Sequence, residues 1–236
     1  MTRRRWIADE TSGNHAALTG SHAEHLARVL RAQVGQEFDI ATAEEVRRGR
    51  ITRIQADRIE FELGETILLS SSPSITLALS IFKFDRMEWA IEKCTELGVA
   101  RIVPVITSRS ESHLATAAVK RVERWQRIVR QASEQSRRVA PPDVSQPIKL
   151  KDALMLAGSL RILLSESEKD VMLKDCMRSA ISDVVLGLGP EGGWTDAELD
   201  QFRAAGWVSA SLGNTILRAE TAAIAAVAVV LAELQN

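Results

Sequence analysis

Val184-Val185-Leu186-Gly187-Leu188-Gly189-Pro190-Glu191-Gly192-Gly193 is the stretch whose reading decides the fold. A short β-forming run passes directly into a turn of small residues, and a helix-forming run follows. About twenty residues on the pattern repeats. Trp207-Val208-Ser209-Ala210-Ser211 leads into Leu212-Gly213-Asn214-Thr215-Ile216-Leu217-Arg218-Ala219-Glu220-Thr221-Ala222. Loops set between a strand and the next helix are where α/β sheets bind ligands.

Gly187 to Gly192 fits G-x-G-x-x-G, so a dinucleotide fold has to be excluded first. That fingerprint needs a helix opening within the glycines and an acid about twenty positions later. Here the helix starts later, at the capping box Thr195-Asp196-Ala197-Glu198, with Trp194 and Leu199 placed as a hydrophobic staple. No acid lies between Asp200 and Glu220, and Pro190 and Glu191 occupy the place of the phosphates. One such loop alone reads as a tight turn. Two on successive βα units point to a ligand site.

The chain has 236 residues, 45% apolar and 26% charged, with a net charge of −1. That composition describes a soluble globular protein of one large or two smaller domains. Any nucleic-acid footprint has to be local, since there is no global basicity. Cys94 and Cys176 have no metal-ligand spacing and the four histidines form no H-x-x-x-H pair, so we expect no metal and a reducing, cytoplasmic setting. The start, Met1-Thr2-Arg3-Arg4-Arg5-Trp6, has no apolar core behind it and is not read as a signal peptide. The apolar run Ala222 to Ala232 is too short for a bilayer and reads as a buried helix.

Residues 1–69 read as a small β-barrel. Its strands are expected at 6–8, 37–41, 50–54 and 58–63, with one helix, Ser21 to Ala32, opened by a capping box at Ser21 and Glu24. Its basic residues, among them Arg3, Arg4, Arg5, Arg28 and Arg31, are all arginine. They read two ways, as a solvated mixed-charge surface or as phosphate contacts. Ser70 to Ser74 is the expected linker. From residue 75 onward strands and helices alternate, as in a parallel α/β sheet. Expected elements are a strand at 75–82, a helix at 85–97 stopped by Gly98, and a strand at 99–106 whose Pro104 suggests an edge or a bulge. A long basic helix follows at 117–138, with Val122, Trp125, Val129 and Ala132 inward and Lys120, Arg124, Arg127 and Gln131 on another face. With Arg109 before it and Arg137 and Arg138 at its end, it is either a solvated face or a groove for an RNA backbone. A strand at 160–164 and a loop at Ser165-Glu166-Ser167 complete the series.

Gly-Pro-Glu-Gly-Gly at 189–193 together with Leu212-Gly213, Ile216-Leu217-Arg218 and Glu220-Thr221-Ala222 resembles the SPOUT class of S-adenosylmethionine-dependent RNA methyltransferases. His25-Leu26-Ala27-Arg28-Val29-Leu30-Arg31, Asp85 to Val99, Arg124-Trp125 and Glu134-Gln135-Ser136 narrow the resemblance to RsmE-type methylases, which modify N3 of a uridine in 16S ribosomal RNA. It implies a PUA-like RNA-binding barrel at 1–69, a linker at 70–74, and an α/β methyltransferase domain at 75–236 tied in a trefoil knot. It also implies a homodimer, with 16S ribosomal RNA in the assembled small subunit as partner and no membrane. Two positions depart from the family pattern: Phe84 replaces a glycine, and Thr215 stands where an arginine is frequent. Within the same class, methylation of a ribose 2′-oxygen or of a guanine ring is the alternative. Outside it, the alternative is a non-catalytic RNA-binding assembly factor.

Methylating a uracil N3 demands an in-line geometry and stabilisation of the imide nitrogen as it loses its proton. Gly189, Gly192, Gly193 and Gly213 let backbone groups approach a ligand, and Leu164, Leu188, Leu212, Ile216 and Leu217 are expected as apolar walls. The resemblance adds Pro190 and Thr221 to the cofactor set and Arg86 to the RNA set, which comprises Arg3, Arg4, Arg5, Arg28, Arg31, Arg109, Lys120, Arg124, Arg127, Arg137 and Arg138. Arg218 is the cation expected to face the uracil, with an ion pair to Glu220 or Glu191 as its structural alternative. Glu191 is the second catalytic candidate, and accepting the proton or capping a turn both remain open for it.

Overall fold

A computed structural model describes residues 5–42, 45–67, 74–136, 138–177 and 183–234. The chain divides into two compact units, one of residues 1–71 with 133–141, the other of 72–132 with 142–236.

The first unit is built on β1 (Arg5–Ile7), β2 (Glu10–Ser12), β3 (His15–Thr19), α1 (Gly20–Glu24), β4 (Glu37–Ala41), β5 (Val46–Ile54) and β6 (Arg58–Ile67). They form one sheet in the order β1-β4-β5-β6-β3-β2, antiparallel except where β1 meets β4. Alternation decides the inner face: Ile59, Phe61 and Leu63 of β6 join Trp6, Leu18, Leu26, Ile40 and Ile51 in one core. The sheet is an open half-barrel, with no pairing of β1 to β2 among the described residues.

The helix expected at Ser21–Ala32 differs in kind. Its N-cap is Thr19 without a side-chain cap, so the Ser21 capping box does not form; the Glu24 carboxylate instead accepts a 2.5 Å hydrogen bond from Arg28, one turn on. After α1 the chain widens into a π-helical turn over His25–Val29 and ends at Arg31, in the left-handed region at φ 51°.

The second unit comprises β7 (Ser74–Ser80), α2 (Phe84–Leu97), β8 (Arg101–Ile106), α3 (Ser112–Gln135), β9 (Asp143–Val144), β10 (Ile148–Lys149), α4 (Leu150–Ala153), β11 (Leu160–Leu164), β12 (Asp183–Leu188), α5 (Asp196–Ala204), β13 (Val208–Ala210) and α6 (Ala219–Leu234). Of the expected linker, residues 70–73 lie outside the described residues and Ser74 opens β7. All pairings are parallel, in the order β10-β8-β7-β12-β11-β13 with β9 also beside β8. Period-two alternation sorts the strands between two layers. Ile75, Leu77, Leu79, Leu186 and Leu188 face α2, α3 and α6, whereas Ala78, Val103, Val105 and Val185 face Ala153, Phe202 and Trp207. Burial on both faces is what a parallel sheet requires.

Pro104 lies neither at an edge nor at a bulge. β8 pairs with β7 along its length, but on its other side β9 meets only Arg101 and Ile102, and β10 only Val105 and Ile106. The proline falls in the gap between those two short ladders, where its missing N–H costs no pairing there. Phe84 is packed: its ring meets Trp125 edge-on at 6.0 Å, with the Arg121 guanidinium 4.8 Å from its centre. α6 is not buried all round. Ala223, Ala226, Val227 and Val230 pack inward, while Ala228 and Ala232 are exposed.

Candidate active site

Three loops leave the C-terminal ends of the neighbouring strands β12, β11 and β13 and enclose a cavity of about 500 Å³. Its floor and walls include Leu164, Leu188, Leu212, Ile216 and Leu217, with Gly189, Pro190, Glu191, Gly193 and Gly213 along the loops. Strand order reverses between β7 and β12, one strand from this cavity, and a crevice at such a place is the usual ligand site of an open α/β sheet. Of the expected cofactor residues, Gly192 and Thr221 are not among those lining the cavity.

The first loop is fixed by packing. A Cβ at Gly189 would sit 3.2 Å from the Trp194 indole, and one at Gly192 would sit 3.3 Å from Arg109. Trp194 is held in turn by a 2.9 Å hydrogen bond from Nε1 to the Leu164 carbonyl and by edge contact with Phe202. The capping box forms as read. Glu198 accepts from the Thr195 backbone at 2.9 Å and also from the Ser108 backbone at 2.8 Å, binding α5 to the loop after β8. Burial works to raise the Glu198 pKa, but these hydrogen bonds outweigh it and hold the carboxyl below its ordinary value.

The cavity mouth carries the charge. The Arg218 guanidinium is exposed, lines the cavity and makes no hydrogen bond or ion pair with any described residue. The ion pairs considered for it belong to Arg86 instead: Nη1 donates to Glu191 Oε1 at 2.5 Å, and Nε lies 3.8 Å from Glu220 Oε1. Arg86 therefore stands in the cavity wall, although it was grouped above with RNA contacts. Arg109 likewise donates to the carbonyls of Gly192 and Trp194, at 2.5 and 3.2 Å, and braces the first loop.

None of the remaining described RNA candidates is among the residues lining the cavity. Arg3, Arg4 and Arg137 are outside the described residues. Arg5 opens β1; Arg28 and Arg31 are exposed. Lys120, Arg124 and Arg127 are exposed on α3, with Arg124 drawn to Glu88 at 2.8 Å, which raises its pKa. Arg138 donates to the Ala140 carbonyl, and burial lowers its pKa. The sequence reading passed over Ser165, Glu166 and Ser167, which line the cavity from the end of β11; the signal was their place directly after a strand. Among the described residues no group of His, Cys, Asp or Glu is arranged to hold a metal, and no helix is long and apolar enough to cross a membrane.

Comparison with known proteins agrees with this geometry. Residues 70–231 match the family model of the RNA methyltransferase domain. The chain is 33% identical over 229 residues to the ribosomal RNA small subunit methyltransferase E of Synechocystis, covering 93% of this chain and 73% of that protein. With the same-named protein of Aquifex aeolicus it shares 31% over 228 residues, covering 96% and 98%. Among solved structures, ribosomal RNA small subunit methyltransferase E from Neisseria gonorrhoeae, bound to S-adenosyl methionine, superposes with a TM-score of 0.86 at 32% identity, covering 99% and 98%. A Legionella pneumophila structure in complex with the cofactor SAM superposes at 0.85 with 28% identity, covering 98% of each chain.

Proposed function

We propose, from the premise that this chain belongs to the ribosomal RNA small subunit methyltransferase E family of RNA methyltransferases, that it transfers a methyl group from S-adenosylmethionine to N3 of a uridine in 16S ribosomal RNA. The observation that carries this reading is the exposed Arg218, unpaired among the described residues, in the lining of a cavity built by three loops of one parallel sheet.

The residues present fit that cofactor. A cavity of about 500 Å³ is of the size small-molecule sites have, and its leucine walls and close-packed glycines suit a flat adenine. When bound, S-adenosylmethionine supplies an electrophilic methyl group on a sulfonium. Leu188, Leu212 and Leu217 would hold it from the sides and the Gly189 backbone would face its polar edges, whereas the Gly213 N–H and carbonyl are already bonded to the Ser211 hydroxyl. The Arg218 fork faces the uracil oxygens and stabilises the charge that develops as N3 loses its proton. Glu191 lines the same cavity, as do Glu166 and Asp196, and we take Glu191, one oxygen of which Arg86 holds, as the carboxylate that accepts that proton.

Finer features belong to the same proposal. The half-barrel of the first unit serves as a PUA-like RNA platform, with Arg28 and Arg31 on exposed positions, and α3 offers Lys120, Arg124 and Arg127 to a backbone. The last helix packs on α2 and β12 near the middle of the sheet although β13 is at its edge, which suits a chain threaded through a trefoil knot. Ala228 and Ala232, with half-buried Val229, leave an apolar outer face on α6 that a second copy would cover in a homodimer. Two free cysteines accord with a cytoplasmic setting, and the assembled small subunit is the substrate we propose there. The decisive experiment maps methylated nucleosides in 16S ribosomal RNA by mass spectrometry, from a strain lacking this chain and from one with it restored. Loss and return of one N3-methyluridine is the expected result. A lost 2′-O-methyl or methylguanine would replace the base assignment, and an unchanged map would remove the enzymatic reading.

A further inference from the structure

Glu220 stands in the first turn of α6 with a side chain only 7% exposed, and its Oε2 has no hydrogen-bond partner among the described residues. A carboxylate taken out of water with one oxygen unmet is costly, and such a group is kept where a partner can complete it. The neighbour with donors to offer is Arg86, whose Nε is 3.8 Å from Glu220 Oε1 and whose Nη2 has no partner among the described residues. Through Nη1 the same guanidinium already holds Glu191, in the loop after β12. Arg86 thus joins two walls of the cavity, firmly to the glycine loop and loosely to α6.

We propose that Arg86 is a latch on this cavity. With ligand bound, its Nε and Nη2 seat side by side on the two oxygens of Glu220 while Nη1 keeps Glu191, drawing the glycine loop and the start of α6 together. The planar fork of arginine matches a carboxylate in that way, and closing from 3.8 Å to about 2.8 Å makes each contact a full charge-assisted hydrogen bond. A ligand favours the closed form because it touches both walls, Gly189 and Pro190 on one side and Leu217 and Ala219 on the other. Arg86 and Glu220 are therefore positioning residues. The inference rests on the reading of the cavity as the S-adenosylmethionine site.

The test is calorimetric titration of the full chain with S-adenosylmethionine for wild type, Glu220→Gln, Arg86→Lys and the double variant, well below each thermal midpoint. Gln keeps the size of Glu but offers one acceptor, and Lys keeps the charge of Arg but cannot bridge two carboxylates. Each single variant should bind about tenfold more weakly, the size of an ordinary coupling between two sites. The double variant should be no weaker than the worse single, since both remove one interaction. In methylation assays the KM for S-adenosylmethionine should rise more than kcat falls. Affinities within twofold of wild type, or losses that add in the double variant, overturn the latch. If one variant fails to fold, the other decides against wild type. A wild-type chain that binds no S-adenosylmethionine overturns the cofactor reading itself.

Discussion

The two glycine loops at the cavity do opposite work. In the first, Gly189 lies against Trp194, Gly192 against Arg109, and Arg86 grips Glu191, so the loop is set by its neighbours before any ligand arrives. In the second, a Cβ at Gly213 would meet nothing within 4 Å, Ile216 is 82% exposed and Arg218 has no partner among the described residues. One side of the site is a fixed mould; the other is tied at Gly213, whose N–H and carbonyl meet the Ser211 hydroxyl, and keeps the Ile216 and Arg218 side chains unspent among the described residues. Preorganisation on one wall with unsatisfied groups on the other is how a site holds a ligand in register while reserving interactions for the reaction.

The sharpest way to break this contrast is Arg218→Ala. An unpaired, exposed side chain contributes little to folding, so the thermal midpoint and S-adenosylmethionine affinity should hold. Turnover should fall on the order of a hundred-fold or more, because one preorganised donor at a developing anion is lost. Arg218→Lys should restore little of it, since a point charge cannot meet two uracil atoms as a planar fork does. Single-turnover methylation of 16S ribosomal RNA measures the rate, and near-normal turnover in the alanine variant would remove Arg218 from the chemistry.

Glycine replacements on the two sides should sharpen the comparison, with smaller effects. At Gly189 the new side chain meets an indole fixed by its own hydrogen bond, so Gly189→Val should cost about 1–3 kcal/mol through overpacking and block the cavity. At Gly213 there is room, but φ is 134°, where side chains are strained, so Gly213→Ala should cost about 1 kcal/mol without any clash. Urea unfolding with cofactor titration separates the cases. Equal losses of affinity at both positions would mean the two loops do not differ as described.

What the sequence made legible follows the range of the interactions involved. The capping box at Thr195 and Glu198, the stripe of α3 and the two βα units rest on contacts a few residues apart, and periodicity or spacing reports them. The resemblance placed Arg86 in the RNA set; its pairing with Glu191, 105 residues away, was not legible because no local pattern encodes that distance. The Ser21 capping box failed because the helix opens two residues earlier, with Thr19 as N-cap, which leaves Ser21 inside the helix and Glu24 paired with Arg28 one turn on. β2 and β3 were missed because Glu-Thr-Ser and His-Ala-Ala-Leu-Thr carry few β-forming side chains; β3 is held by pairing with β6, and β2 by pairing with β3. At Pro104 the rule was right about the missing donor, but only the sheet could show a gap between β9 and β10 to receive it.

Ile216 offers the smallest expected change and the most selective. A large apolar side chain at 82% exposure gains almost nothing from folding, so Ile216→Ala should leave stability within about 0.5 kcal/mol of wild type. Yet the residue lines the cavity beside Leu217, and a ligand that fills the space would cover part of it. Burying a whole isoleucine is worth roughly 1.5–3 kcal/mol, so covering about half of it, less the Cβ that alanine retains, comes to about 1 kcal/mol, or roughly fivefold in affinity. The effect should appear in S-adenosylmethionine binding and not in the thermal midpoint of the free chain, whereas Gly189→Val moves both. Should Ile216→Ala instead lower the midpoint and spare binding, the second loop would already be packed in the free protein, and the contrast between a fixed wall and an open one would fail at the residue where it is most exposed.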